Sequence, residues 1–152
     1  MTLSIRKAQA DDAGRLSDIA DAAYRPYIQR IGRKPAPMDA DFSHHIAHDT
    51  VFVAAAGQDA PVAGYAVLIE KPDGFWLENI AVIPEMAGQG IGRTLMSFIE
   101  RYLSEFTETL QLYTNVKMTE NRNWYHRLGF TETGRGEEDG FTRVYFMKIL
   151  SS

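Results

Sequence analysis

Between Phe75 and Asn115 the chain reads FWLENIAVI, PEMAGQGIGR, TLMSFIERYL and, after a short polar stretch, TLQLYTN. That is an apolar strand, a turn with Gly88, Gly90 and Gly92, an amphipathic run and a second strand. Ile91, Leu95, Phe98, Ile99 and Tyr102 fall on one helical stripe. A strand, helix, strand crossover of this kind joins neighbours in parallel and with a right-handed turn. The unit therefore commits the chain to a sheet that contains a parallel pair and carries helices against its faces.

The flanking sequence supplies the rest. LSIRKA, Leu3 to Ala8, alternates as a strand, and Asp11 and Asp12 offer a helix cap. Leu16, Ile19, Ala20, Ala23 and Tyr27 follow at helical spacing, and RKPAPM breaks that helix at its prolines. A second short helix is expected from about Asp39 to His48. TVFVAAA, VAGYAVLIE and FWLENIAVI form an antiparallel meander turned at GQDAP and KPDG. TENRNWYHRLGF predicts a helix from Thr119 that stops at Gly129. The tail folds back as a hairpin around EEDG. The expected order is βααβββαβαββ, an α/β (α+β) mixed sheet flanked by helices, as a single domain over residues 1–152.

Charge narrows the function classes. Sixteen basic and 20 acidic residues give a net charge of −4, without the basic excess of a nucleic-acid binder. The absence of cysteine removes disulfides, thiolate metal ligands and a thiol nucleophile. No apolar run approaches the ~20 residues needed to span a bilayer, and MTLSIRKAQADD has no apolar signal core. The expectation is a cytoplasmic protein with neither a nucleic-acid nor a membrane partner. Oligomeric state is left open, a homodimer included.

The glycines invite a phosphate, and spacing separates the candidates. A P-loop needs Gly-Lys-Ser or Gly-Lys-Thr, and neither dipeptide occurs. A dinucleotide fingerprint counted from Gly88 would need glycine where Arg93 stands, and a β-meander precedes the loop. A plain tight turn before a helix is the bland alternative.

NIAVIPEMAGQGIGRTLM resembles the pyrophosphate-binding segment of the GNAT superfamily, the acyl-CoA-dependent N-acetyltransferases. Val82-Ile83-Pro84 and Gly88-Gln89-Gly90-Ile91-Gly92 match its V-x-P and glycine pattern. NWYHRLGF, Asn123 to Phe130, resembles the family's second motif, and the element order fits over nearly the whole chain. Two positions depart from the pattern. Ala87 stands where the family has Gln or Arg, and Met118 stands where it often has Asn, with Asn115 and Asn121 as nearby substitutes. The resemblance implies acetyl-CoA as co-substrate, its pyrophosphate held by Gly88, Gln89, Gly90, Ile91, Gly92 and Arg93. Main-chain N–H groups at a helix start do that work, which makes Ala87 a minor loss. It also implies that the strands either side of the crossover splay. The pantetheine arm would then pair with the backbones of Ile80, Ala81 and Val82, with Asn121 contacting it.

Acetyl transfer to an amine needs a neutral nucleophile, a donor for the developing oxyanion and a proton for the thiolate. With no cysteine and no G-x-S-x-G elbow, direct attack in a ternary complex is the economical route. Glu78 interrupts an apolar strand, which would raise its proton affinity, and its place resembles that of a family base. Its bland alternative is a structural glutamate at a strand edge. Tyr125 matches the family tyrosine near the coenzyme sulfur and would be the general acid; its bland alternative is a core aromatic. Asn121 shares its helix face. His44 and His48 stand at i, i+4, but the glutamate of H-E-x-x-H is missing because His45 occupies it, so no metal is expected. The resemblance puts that helix on the acceptor side; His126 is expected to be exposed. YRPYIQRIGRKP belongs to the region that shapes the acceptor site in the family. The predicted function is N-acetyl transfer from acetyl-CoA to a primary amine of a small molecule or peptide. The rival from another class is a non-catalytic acyl-CoA-binding or regulatory domain of the same fold.

Overall fold

A computed structural model describes residues 2–150. Seven strands form one sheet: β1 (Ser4–Lys7), β2 (Thr50–Ala55), β3 (Val62–Lys71), β4 (Gly74–Val82), β5 (Thr109–Asn115), β6 (Thr131–Glu138) and β7 (Phe141–Ile149). Their spatial order is β1-β2-β3-β4-β5-β7-β6. Every pairing is antiparallel except β4 with β5, the pair the glycine crossover predicts. The closing hairpin places β7, not β6, beside β5.

Three helices precede β2 where two were expected: α1 (Ala13–Tyr24), α2 (Tyr27–Ile31) and α3 (Phe42–His48). The long helix breaks at Pro26, which has no N–H for the bond one turn back. Gly32, at φ 90°, ends α2 and donates to the Ile28 carbonyl at 2.8 Å. The start of α3 is set by Asp41, whose Oδ1 accepts from the His44 N–H at 3.1 Å. Consequently Tyr24 is the buried tyrosine of this segment, and Tyr27, expected on the apolar stripe, is only half-buried.

Helices α4 (Ile91–Leu103) and α5 (Thr119–Arg127) cover one face of the sheet. Leu95, Ile99 and Leu103 are fully buried there, each worth about 1.5–3 kcal/mol. Leu16 and Ile19 of α1 and Phe42 of α3 seal the other face against Val53, Tyr65 and Val67.

Two irregularities in β4 position the site. The first is a bulge: Val67 pairs with Asn79 and Leu68 with Leu77, which leaves Glu78 as the extra residue. Leu77 and Ile80 therefore pack on the α4 face, while Asn79 and Ala81 turn to the α1 face. The second is a divergence. β4 and β5 pair only at Trp76–Gln111 and Leu77–Leu112, and from Glu78 onward the strands separate.

Candidate active site

The gap between β4 and β5 connects three spaces. Between the end of α1, the end of β4 and the start of α4 lies a groove of about 510 Å³. In the gap is a small chamber of about 150 Å³ between Leu77–Ile80 of β4 and Tyr113–Asn115 of β5. Beyond it a vestibule of about 500 Å³ opens between the β3–β4 and β6–β7 turns. Tyr24, Ile80 and Asn121 wall both groove and chamber. Glu78, Tyr113 and Arg143 wall both chamber and vestibule.

The groove gathers nearly every residue singled out for the coenzyme: Ile80, Ala81, Val82, Gly88, Gly90, Ile91, Gly92, Arg93 and Asn121 line it. Gln89 is exposed at the loop tip and lies outside that lining. Gly88 and Gly90 take φ 78° and 83°, a left-handed backbone that favours glycine. Gly90 is the N-cap of α4, and no side chain caps it. The N–H groups of Ile91, Gly92 and Arg93 therefore meet the groove without an intrahelical acceptor, at the positive end of the helix dipole. Gly92 serves packing: a Cβ there would lie 3.2 Å from the Trp124 ring. The Ile80 carbonyl is already engaged, accepting from Tyr24 Oη at 2.9 Å. Tyr27 and Arg30 of α2 both reach Glu120 at the start of α5, at 2.8 and 2.7 Å, and Tyr27 lines the groove. Burial and that acceptor raise the Tyr27 phenol to about 12.

The chamber brings Tyr125 and Glu78 together. Tyr125 comes from α5, where Gly129 (φ 96°) ends the last turn, and burial pushes its phenol well up. It is protonated at neutral pH. Glu78 Oε1 accepts from Tyr113 Oη at 2.7 Å, and Oε2 is sealed without a partner among the described residues. Burial, then the nearby Glu78 charge, push Tyr113 up as well. Asn79 Oδ1 accepts from Tyr65 Oη at 3.0 Å and lies 3.2 Å from Tyr24 Oη.

The two substitutes for the family asparagine differ. Asn115 Oδ1 is spent on the Lys117 N–H at 2.9 Å, whereas Asn121 makes only a 3.7 Å contact with Met118 Sδ. Met118 itself is buried. His45 lines the chamber, its Nδ1 2.8 Å from Asp49 Oδ2. His44 and His48 are exposed, as is His126, and among the described residues no cluster of three or more metal-ligating side chains forms. Also among these residues, no helix is long and apolar enough to cross a membrane.

Sequence reasoning passed over Tyr113 and Arg143. Alternation along TLQLYTN marks Tyr113 as facing away from the α4 core, but its partner lies 35 residues upstream across the parallel pair. Arg143 carries no local signal at all.

Residues 47–132 match the acetyltransferase (GNAT) domain family, more than half of the chain. The chain belongs to that family. It is accordingly an acyltransferase, and the GNAT fold extends beyond the matched residues. A peptidyl-lysine N-acetyltransferase of Salmonella typhimurium, YjaB, is 26% identical over 156 residues, covering 95% of this chain and 94% of that one. The crystal structure of PaiA N-acetyltransferase from Thermoplasma acidophilum in complex with coenzyme A superposes with a TM-score of 0.80 at 16% identity, over 98% and 99% of the two chains. The ribosomal-protein-S18-alanine N-acetyltransferase of Escherichia coli gives 0.76 at 21%, over 99% and 96%.

Proposed function

We propose that this GNAT protein transfers an acetyl group from acetyl-CoA to a primary amine by direct attack in a ternary complex. The observation that carries this reading is the gap in the sheet. It joins a groove ending in free helix N–H groups to a chamber holding one unpartnered carboxylate oxygen and one protonated phenol. The groove takes the coenzyme, its pyrophosphate on the N–H groups from Ile91 to Arg93 and its pantetheine arm between β4 and β5 beside Asn121. Coenzyme A in the Thermoplasma relative supports that cofactor.

The acceptor ammonium gives a proton to Glu78, whose Oε2 needs a donor. The neutral nitrogen then bonds to the thioester carbon. As the C–S bond breaks, Tyr125 Oη donates to the leaving sulfur, and the amine's second proton restores the phenol. A backbone N–H near Val82 faces the developing oxyanion. Names of relatives that act on lysine and alanine amines support an amine acceptor.

The test follows free CoA thiol while acetyl-CoA is offered with a panel of primary amines. Release that depends on the amine is expected, and Glu78→Gln should slow it about 100-fold or more at unchanged coenzyme affinity. A panel with no amine-dependent release, from protein that still binds acetyl-CoA, would overturn the primary-amine acceptor.

A further inference from the structure

Arg143 is a buried cation in the wall of the chamber, and the reaction as derived gives it no role. Its side chain is 8% exposed. Nη1 donates to Glu138 Oε2 at 2.7 Å, and the guanidinium carbon lies over the Tyr113 ring, 4.2 Å from its centroid. Among the described residues this is its only hydrogen bond. Arg143 lines both chamber and vestibule, and Nε and Nη2 carry no hydrogen bond among the described residues. A guanidinium presents its donors as a rigid fork that matches a carboxylate. Its one carboxylate partner, Glu138, is 54% exposed and holds the arginine from the solvent side.

Tyr113 ties this cation to the chamber's anion. Its ring supports Arg143 and its hydroxyl holds Glu78 Oε1, while Oε2 is buried without a partner among the described residues. One tyrosine thus spaces a carboxylate with an unpartnered oxygen from a guanidinium with donors beyond its single ion pair. A peptidyl-lysine side chain would engage only the first group. A zwitterion uses both.

Resting on the N-acetyltransferase reading, we propose that the acceptor is a primary amine carrying its own carboxylate, of the free amino acid class. Glu78 receives its ammonium and Arg143 its carboxylate. The bond changes are those derived above; Arg143 binds and orients without exchanging a proton. The specificity therefore differs from that in the name of the Salmonella relative.

The experiment uses the full chain with acetyl-CoA and three sets of acceptors: free amino acids, the same amino acids as carboxamides, and Nα-acetyl-lysine N-methylamide. Thiol release should favour the best free amino acid over its carboxamide by roughly ten-fold or more in kcat/KM. Arg143→Gln should erase that ratio by raising KM for the free acid. Glu138→Gln, a change at the surface, should lower KM for the free acid and leave the carboxamide unmoved, which tests the idea even if the Arg143 variant does not fold. Equal rates for acid and carboxamide, or turnover only with the lysine amide, overturn the carboxylate claim while the N-acetyltransferase reading survives. No release with any amine removes both.

Discussion

At Gly90 the chain is left-handed (φ 83°) and a Cβ would meet open space. Crowding by the protein is therefore not what makes this glycine necessary; backbone conformation is, and, in the proposed function, the approach of an anion. Gly90→Ala should cost about 1–2 kcal/mol of strain and keep part of the coenzyme affinity. Gly90→Glu should abolish it, because a carboxylate then sits at the helix N-terminus meant for a phosphate; calorimetric titration with CoA compares the two. In the proposed reaction Tyr125 works through a proton that burial keeps in place. Tyr125→Phe should lower turnover about 100-fold with the Kd for CoA nearly unchanged, and equal turnover would remove it from the chemistry.

Elements are joined by a few polar clamps. Arg6 of β1 holds Asp12 ahead of α1 at 2.8 and 3.1 Å, and Asp12 also accepts from the Gln9 N–H at 2.7 Å. The Arg6 side-chain bond is the main cause that lowers the Asp12 carboxyl below its ordinary 3.8. A depressed carboxyl stabilises the fold above its unfolded value, and that contribution is lost as pH falls through the folded one. Asp12→Asn should cost no more than about 1 kcal/mol at pH 7, since water screens the half-exposed Arg6. The difference in melting temperature from the parent should shrink as pH falls through the ordinary carboxyl range and vanish once both folded and unfolded carboxyls are protonated. Within β4 the bulge at Glu78 does comparable work on function. It breaks the two-residue alternation, so Glu78 reaches Tyr113 while its neighbours stay in the two cores.

For the whole molecule the sheet acts as a partition with one opening. Under the proposed function, coenzyme in the groove and acceptor from the vestibule meet in the chamber where β4 and β5 part. A ligand filling that opening binds only the folded chain. Acetyl-CoA at 100 times its Kd should therefore add about 2.7 kcal/mol of stability, seen as a rise in melting temperature, while NAD should produce far less. A larger rise with NAD would refute the assignment of the groove.

Legibility in the sequence followed distance along the chain. Strands β2 to β5, the α4 stripe and the glycine turn are local patterns of period and turn chemistry, and nearly all residues picked for the groove do line it. The break at Pro26 was equally local, yet the more conspicuous RKPAPM run hid it. By itself the sequence determined the parallel crossover, the glycine turn before α4 and the choice of Glu78 and Tyr125 as candidates, because turn chemistry and hydrophobic period are written residue by residue. Only the tertiary structure decided how far β4 stays with β5, that Glu78 is a bulge, and that Tyr113 and Arg143 stand beside it. Those depend on pairing across strands tens of residues apart, where no single side chain announces its partner.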